Sequence, residues 1–208
     1  MADEKIFLRD DLFLGTGMHK TVYAHTDNQH LCIKILHTTP DPDLDREFRY
    51  RKALGDKANL MTLLTKYFGE VETSKGKGYL FERVIDYDGS TSKTMLELLN
   101  EAIADKTKLP ALEKILLDFK RTYFAEKISL AGIDPDNYLV QKISPTECRV
   151  RIIDNIGTSA AIPIAYYFEM FAKKRAVKYW KKFVADLGKT YHLLFTAEFL
   201  SKLGDLNC

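Results

Sequence analysis

An amide and a carboxylate stand at the two ends of a short β-rich stretch: Asn137 in "DPDNYLV" and Asp154 in "RIIDNIG". Oxygen donors at strand or turn ends of one hairpin suit Mg²⁺ bound to a triphosphate, because this small hard cation takes one or two protein oxygens and leaves its other positions to phosphate and water. Upstream, "LGTGMHK" sets Gly15 and Gly17 between β-type runs. Glycines there let backbone approach phosphate oxygens with no Cβ in the way. Lys34 lies inside the apolar run "CIKIL", where a buried ammonium needs a partner. Glu47, on the helical segment that follows, is a candidate for that partner. Each residue also has a plain structural reading. The G-x-G can be an ordinary hairpin, Lys34 an edge-strand lysine facing water, Glu47 a solvated helix face, and Asn137 and Asp154 turn residues.

The elements that must position these residues can be read in order. Residues 12–25 have the turn glycines and β-branched run of a hairpin, and 30–38 read as a short strand. Residues 40–56 read as a helix that starts near Asp41 or Asp43, and 66–89 as two strands around a glycine-containing turn. From residue 94 the periodicity becomes helical in "TMLELLNEAIADK" and "LPALEKILLDFKRTYFAEKI". Two short strands follow at 137–143 and 148–154, and the rest is helical and aromatic. No repeat or low-complexity segment interrupts the chain. The expected fold is α+β and two-lobed, a single domain with a β-rich N-lobe over 1–84 and a shortened helical C-lobe over 85–208.

The order of the signals is more specific than any one of them. A G-x-G, a strand Lys, a helix Glu, a strand ending in "YLFERV", a helical block, a P-x-N and a strand ending in Asp make up the protein-kinase signature set. The chain resembles the kinase-like superfamily along nearly its whole length. More closely, it resembles the YrbL family of bacterial proteins, named for the PhoP regulatory network. That likeness runs through "LGTGMHKTVYAH", "CIKIL", "GYLFERVIDYDG", "DPDNYLV" and "IIDNIGTSAAIPIA". It implies ATP and Mg²⁺ as cofactors. Gly15 and Gly17 would cover the phosphates, and Lys34, held by Glu47, would meet the α- and β-phosphates. The backbone at Glu82 and Val84 would read the adenine edge, and Asn137 and Asp154 would hold Mg²⁺.

The chain also departs from the kinase pattern. Counting back from Asn137 places Leu130, Ala131 and Gly132 at the H-R-D positions, so the usual proton acceptor is missing. The third loop glycine is Lys20, D-F-G becomes "DNIG", no A-P-E follows, and only about fifty residues remain after Gly157. In an extended loop, residues two apart face the same side, so Asp134 faces the cleft if position 132 does. Asp134 is thus a candidate displaced base, and Lys20 a candidate displaced cation facing the phosphate. Asp134 could equally cap the loop or bind a second Mg²⁺, and Asp136 reads as facing the substrate side or solvent. A missing base slows phosphoryl transfer without abolishing it, because positioning and metal electrostatics carry most of that catalysis. An atypical phosphotransferase, a nucleotidyl transferase with the nucleotide reversed, and a pseudokinase acting as a nucleotide-sensing regulator all stay open. The acceptor, small molecule or protein, is unspecified.

Composition sets outer limits. The 208 residues are 46% hydrophobic and 29% charged with a net charge of +2, an ordinary globular balance that gives no overall field toward nucleic acid or membrane. "MADEKIFLRDD" has no signal-like apolar core, and Cys32, Cys148 and Cys208 form no disulfide framework, so the expected location is cytoplasmic. The five histidines lack zinc-ligand spacing to cysteine. One helix, "KKRAVKYWKKF", sets Lys174, Lys178, Lys181 and Lys182 opposite Val177, Trp180, Val184 and Leu187. It reads as a core-facing stripe with a solvated basic face rather than a site for nucleic acid or membrane.

Overall fold

The computed structural model describes residues 5–160 and 162–206. The first four residues of the acidic start, and Cys208, lie outside the described residues.

The N-lobe is built on five antiparallel strands: β1 Phe13–Thr16, β2 Lys20–Ala24, β3 Leu31–Leu36, β4 Tyr67–Thr73 and β5 Gly76–Glu82. Their order across the sheet is β1-β2-β3-β5-β4. Strand β3 is therefore central, and its side chains alternate between two apolar clusters. Ile33 and Ile35 pack with Leu8 and Tyr23 on one face, while Cys32 packs with Leu44, Tyr79 and Phe81 on the other. Lys34 shares the parity of Cys32, so it points toward the helix side of the sheet. It is only 5% exposed, which rules out an edge lysine facing water. Helix α1, Pro42–Leu54, covers this face. It starts where the sequence indicated: Asp41 Oδ1 accepts from the amides of Asp43 and Leu44 at 2.8 and 3.1 Å, and Pro42 opens the first turn. A further short helix, α2 Lys57–Leu60, follows.

The C-lobe packs around a second small sheet, β6 Lys93–Thr94, β7 Tyr138–Lys142 and β8 Cys148–Ile152. Among the described residues four α-helices accompany it: α3 Met95–Ala104, α4 Leu109–Glu126, α5 Glu169–Thr190 and α6 Ala197–Gly204. Thr94 and Glu97 close a reciprocal capping box at the start of α3. The lobe's core joins Leu99 of α3, Leu116 and Phe119 of α4, Tyr138 of β7, Ile152 of β8, and Trp180 of α5. On α5 the buried seam is Ala176, Trp180, Phe183 and Leu187. Val177 and Val184, expected on that seam, are only half-buried, because the 3.6-residue repeat carries them to its flank. Lys174, Lys178, Lys181 and Lys182 are exposed. Among the described residues no helix is long and apolar enough to cross a membrane. The fold is α+β and two-lobed, with a helix between the third and fourth strands of its N-terminal sheet.

Candidate functional site

Of the residues singled out in the sequence, Lys20, Lys34, Asp134, Asn137 and Asp154 meet along the segment after β8, which passes under the N-lobe. Side chains from the sheet and from α1 hold this segment. Lys34 Nζ donates to the Ile153 carbonyl at 2.9 Å and lies 4.0 Å from the centre of the Phe81 ring. Lys20 Nζ pairs with Asp154 Oδ2 at 2.7 Å, and Arg46 Nε donates to the Ile156 carbonyl at 3.1 Å. Arg151 Nη2 reaches back to Glu82 Oε2 at 2.5 Å and to the Leu64 carbonyl at 3.0 Å. Gly157 completes the run with φ +96°, and a Cβ there would meet Arg46 Cγ at 2.8 Å and the Arg46 carbonyl at 2.9 Å. Only glycine fits this approach.

The loop that carries Gly132 and Asp134 pairs with the same segment. Ala131 N–H donates to the Asn155 carbonyl and Gly157 N–H to the Ser129 carbonyl, both at 2.8 Å. Pro135–Asn137 forms a single 3-10 turn, closed by Asn137 N–H to the Asp134 carbonyl at 2.9 Å. The Asn137 carbonyl in turn accepts from Ile153 N–H at 3.0 Å, which brings Asn137 beside the residue preceding Asp154. Asn155 joins the two halves of the site. Its backbone is left-handed at φ 58°, a conformation Asn tolerates better than most residues. Its N–H donates to Asp154 Oδ1 at 2.9 Å and its Nδ2 to Asp134 Oδ2 at 3.0 Å. A Cβ built on Gly132 would lie 3.2 Å from that same Asp134 Oδ2 and 3.2 Å from Asn155 Nδ2. The carboxylate of Asp134 therefore sits next to the point from which a side chain at position 132 would emerge.

Two expected arrangements are different in the structure. Glu47 makes no ion pair with Lys34. Its Oε1 accepts from Arg51 Nε and Nη2 at 2.8 and 2.5 Å, because Arg51 lies one turn further along α1 and offers a planar fork, while Lys34 reaches a carbonyl instead. Nor does Lys20 sit free at the loop tip; it begins β2 and is committed to Asp154. Gly17 N–H closes the β1–β2 turn on the Lys20 carbonyl at 2.9 Å. A Cβ at Gly15 would meet nothing within 4 Å, so packing does not require glycine there and the space over the loop is open. At the other end of the sheet, Glu82 N–H donates to the Lys66 carbonyl at 2.9 Å, and its carbonyl accepts from the Cys32 thiol at 3.7 Å. Val84 is buried. A cavity of about 540 Å³ is lined by Glu82, Arg83, Tyr87 and Gln141, and one of about 400 Å³ lies beside Leu98, Leu112 and Cys148.

Asn155, Arg46 and Arg151 were not anticipated as site residues. Asn155 had one available signal, its position directly after Asp154 and before a glycine two residues on. The arginines gave none, since their roles depend on contacts with residues distant in the chain.

Electrostatics favour the charged form of Asp154. Burial pushes the Asp154 carboxyl upward, but Lys20, Lys34 and the Asn155 amide outweigh it and leave its pKa below the ordinary value. Burial also raises Glu82, and Arg151 with the Lys66 amide brings it below the usual range. Lys34 is held below a normal lysine by burial, against the pull of Glu47. Both carboxylates thus bind fewer protons folded than unfolded. The stability they contribute is complete above the unfolded values, about 4, and is lost as pH falls through the lower folded values. Urea midpoints are expected to fall from about pH 5 toward pH 3, and less steeply in Glu82→Gln. An identical slope in the variant would show that Glu82 takes no part.

Among the described residues, no three His, Cys, Asp or Glu side chains converge on a common metal position. Asp154 and Asn137, whose carbonyl accepts from the residue preceding Asp154, are the residues that could hold an oxygen-seeking cation bringing its own phosphate and water ligands.

The profile of the family described as PhoP regulatory network protein YrbL matches residues 6–188. The YrbL proteins of Escherichia coli strain K12 and of Shigella flexneri are each 31% identical over 176 residues, 83% of either chain. Among solved structures, the BubR1 kinase domain is similar at 19% identity and a TM-score of 0.45, over 69% of this chain and 45% of that one. The match to the family profile and the two relatives assign the chain: it belongs to the YrbL family of PhoP regulatory network proteins.

Proposed function

We propose that this protein binds Mg²⁺–ATP between its lobes and transfers a phosphoryl group, with Asp134 in place of the missing base. One observation carries the reading: the Asp134 carboxylate lies beside Gly132, oriented by the Asn155 amide. Asp134 is exposed, so an acceptor hydroxyl can reach it. Its Oδ2 is engaged by Asn155, which leaves Oδ1 to take the hydroxyl proton. Asp154 and Asn137 would hold the cation, and Lys34 and Lys20 would face the phosphates from the sheet. When bound, Mg²⁺–ATP supplies the electrophilic phosphorus and spreads the charge that develops on its oxygens. Gly15 and Gly17 leave the phosphate side of the loop clear, and the Glu82–Val84 backbone would face the adenine edge. The acceptor is a hydroxyl compound or protein side chain.

A second reading, nucleotide sensing without turnover, is favoured by the Glu47–Arg51 pair, because Lys34 then lacks the carboxylate that would steady it against phosphate. Both readings share a first test, calorimetric titration with ATP, with and without Mg²⁺, on wild type and Asp154→Ala. The expected result is ATP binding that Mg²⁺ strengthens only when Asp154 is present. No nucleotide binding under any condition would overturn both.

A further inference from the structure

The Lys20–Asp154 pair is more enclosed than a surface ion pair, with side chains 13% and 25% exposed. It also crosses between lobes, since Lys20 opens β2 and Asp154 follows β8. Both oxygens of Asp154 are engaged: Oδ1 by the Asn155 N–H and Oδ2 by the Lys20 ammonium at 2.7 Å. The first bond is compatible with a metal, because a neutral amide leaves the carboxylate its charge. The second is not, because an ammonium and a divalent cation on one oxygen repel each other at close range.

The local charge count points the same way. Around Asp154 stand Lys20 and Lys34, with Asp134 on the far side of Asn155, so two cations meet two anions. Glu47 and Arg51 balance each other alongside. A lone divalent cation would add two positive charges with no anion to meet them, whereas a polyphosphate brings its own negative charge. Lys20 is also able to move, being a point charge on a flexible four-carbon stem.

We infer that Lys20 is an internal counter-ion that keeps the metal position on Asp154 shut in the nucleotide-free protein, so that a divalent cation enters only with a polyphosphate that takes the Lys20 ammonium in exchange. This rests on the reading of the cleft as a nucleotide site and adds how that site is regulated. It makes cation and nucleotide binding one coupled event, with Lys20 passing from carboxylate to phosphate.

The test is Mn²⁺ uptake, followed by its electron paramagnetic resonance signal, since Mn²⁺ occupies the same all-oxygen sites as Mg²⁺. Without nucleotide, Lys20→Met is expected to bind Mn²⁺ at least roughly tenfold more tightly than wild type, because the competing ammonium is gone. Lys20→Arg, which keeps a positive charge against Asp154, should take up no more Mn²⁺ than wild type without nucleotide. With a non-hydrolysable ATP analogue, wild type should acquire tight Mn²⁺ binding while Lys20→Met loses affinity for the analogue. Lys20→Gln is the second variant if Lys20→Met does not fold, as judged by circular dichroism. Equal Mn²⁺ uptake by wild type and the neutral variants without nucleotide, including none in either, overturns the inference. If the neutral variants gain Mn²⁺ but no protein binds the analogue, Lys20 does shut the metal position, while the nucleotide reading and the proposed exchange fall.

Discussion

Asp134→Asn is expected to lower phosphoryl transfer about 10²–10⁴-fold while leaving ATP affinity unchanged, the range that general-base catalysis supplies. The substitution keeps shape and hydrogen bonding: the new carboxamide oxygen still accepts from Asn155 Nδ2, as Oδ2 does now at 3.0 Å. What it removes is the capacity to accept a proton. Single-turnover ATP consumption, with water or the protein itself as acceptor, provides the measurement, and calorimetry on the same variant separates chemistry from binding. A carboxylate that only shaped the loop would leave the rate within error of wild type, and that result would end its assignment as base. A wild-type protein that binds ATP but never consumes it would establish the nucleotide-sensing reading.

The other large effect falls on stability. Trp180→Ala is expected to destabilise the protein by about 3–5 kcal/mol, the usual range for deleting a fully buried large aromatic. Trp180 is 1% exposed and stacks on Tyr123, with ring centres 5.6 Å apart. The rings of Phe119, Phe124 and Phe183 lie 5.4, 5.8 and 5.3 Å away, and the indole N–H donates to the Leu203 carbonyl at 2.9 Å. Truncation therefore opens a cavity where α4, α5 and α6 meet and leaves that carbonyl without its donor. For a chain of this size each kcal/mol lowers the melting temperature by about 2–4 °C, so the loss is readily seen by calorimetry. Lys178→Ala and Lys181→Ala, on the opposite face of α5, should stay within about 0.5 kcal/mol of wild type. A Trp180→Ala protein as stable as the lysine variants would mean that α5 is not seated through this face.

Much of this architecture was legible in the chain alone, for local reasons. Asp41 before Pro42 marks a helix start whatever the fold, because the cap and the fixed proline φ act within one turn. The glycine-interrupted β runs and the amphipathic repeats of α3 and α4 likewise depend on neighbours a few residues away. The stripe of α5 was visible too, though its seam was displaced by a residue at some positions, since periodicity alone does not set a helix's rotation against its core. Parity in the loop suggested that Asp134 would share a side with position 132, and the carboxylate does lie next to that glycine.

Pairing was not legible, because it depends on which distant groups tertiary packing brings within reach. Lys34 and Glu47 looked like partners by order, yet Arg51 is one turn from Glu47 and takes it, and Lys34 is left with a carbonyl far along the chain. Lys20 was expected over a phosphate and lies on Asp154. Asn155, which links Asp154 to Asp134, acts through a left-handed backbone that only the crossing of two loops holds in place. By itself, the sequence determined the elements, their order and the residue types available for chemistry, since propensity, capping and periodicity are short-range. Only the tertiary structure decided which charge meets which, because an ion pair depends on ångström-scale distances between groups separated by a hundred residues or more.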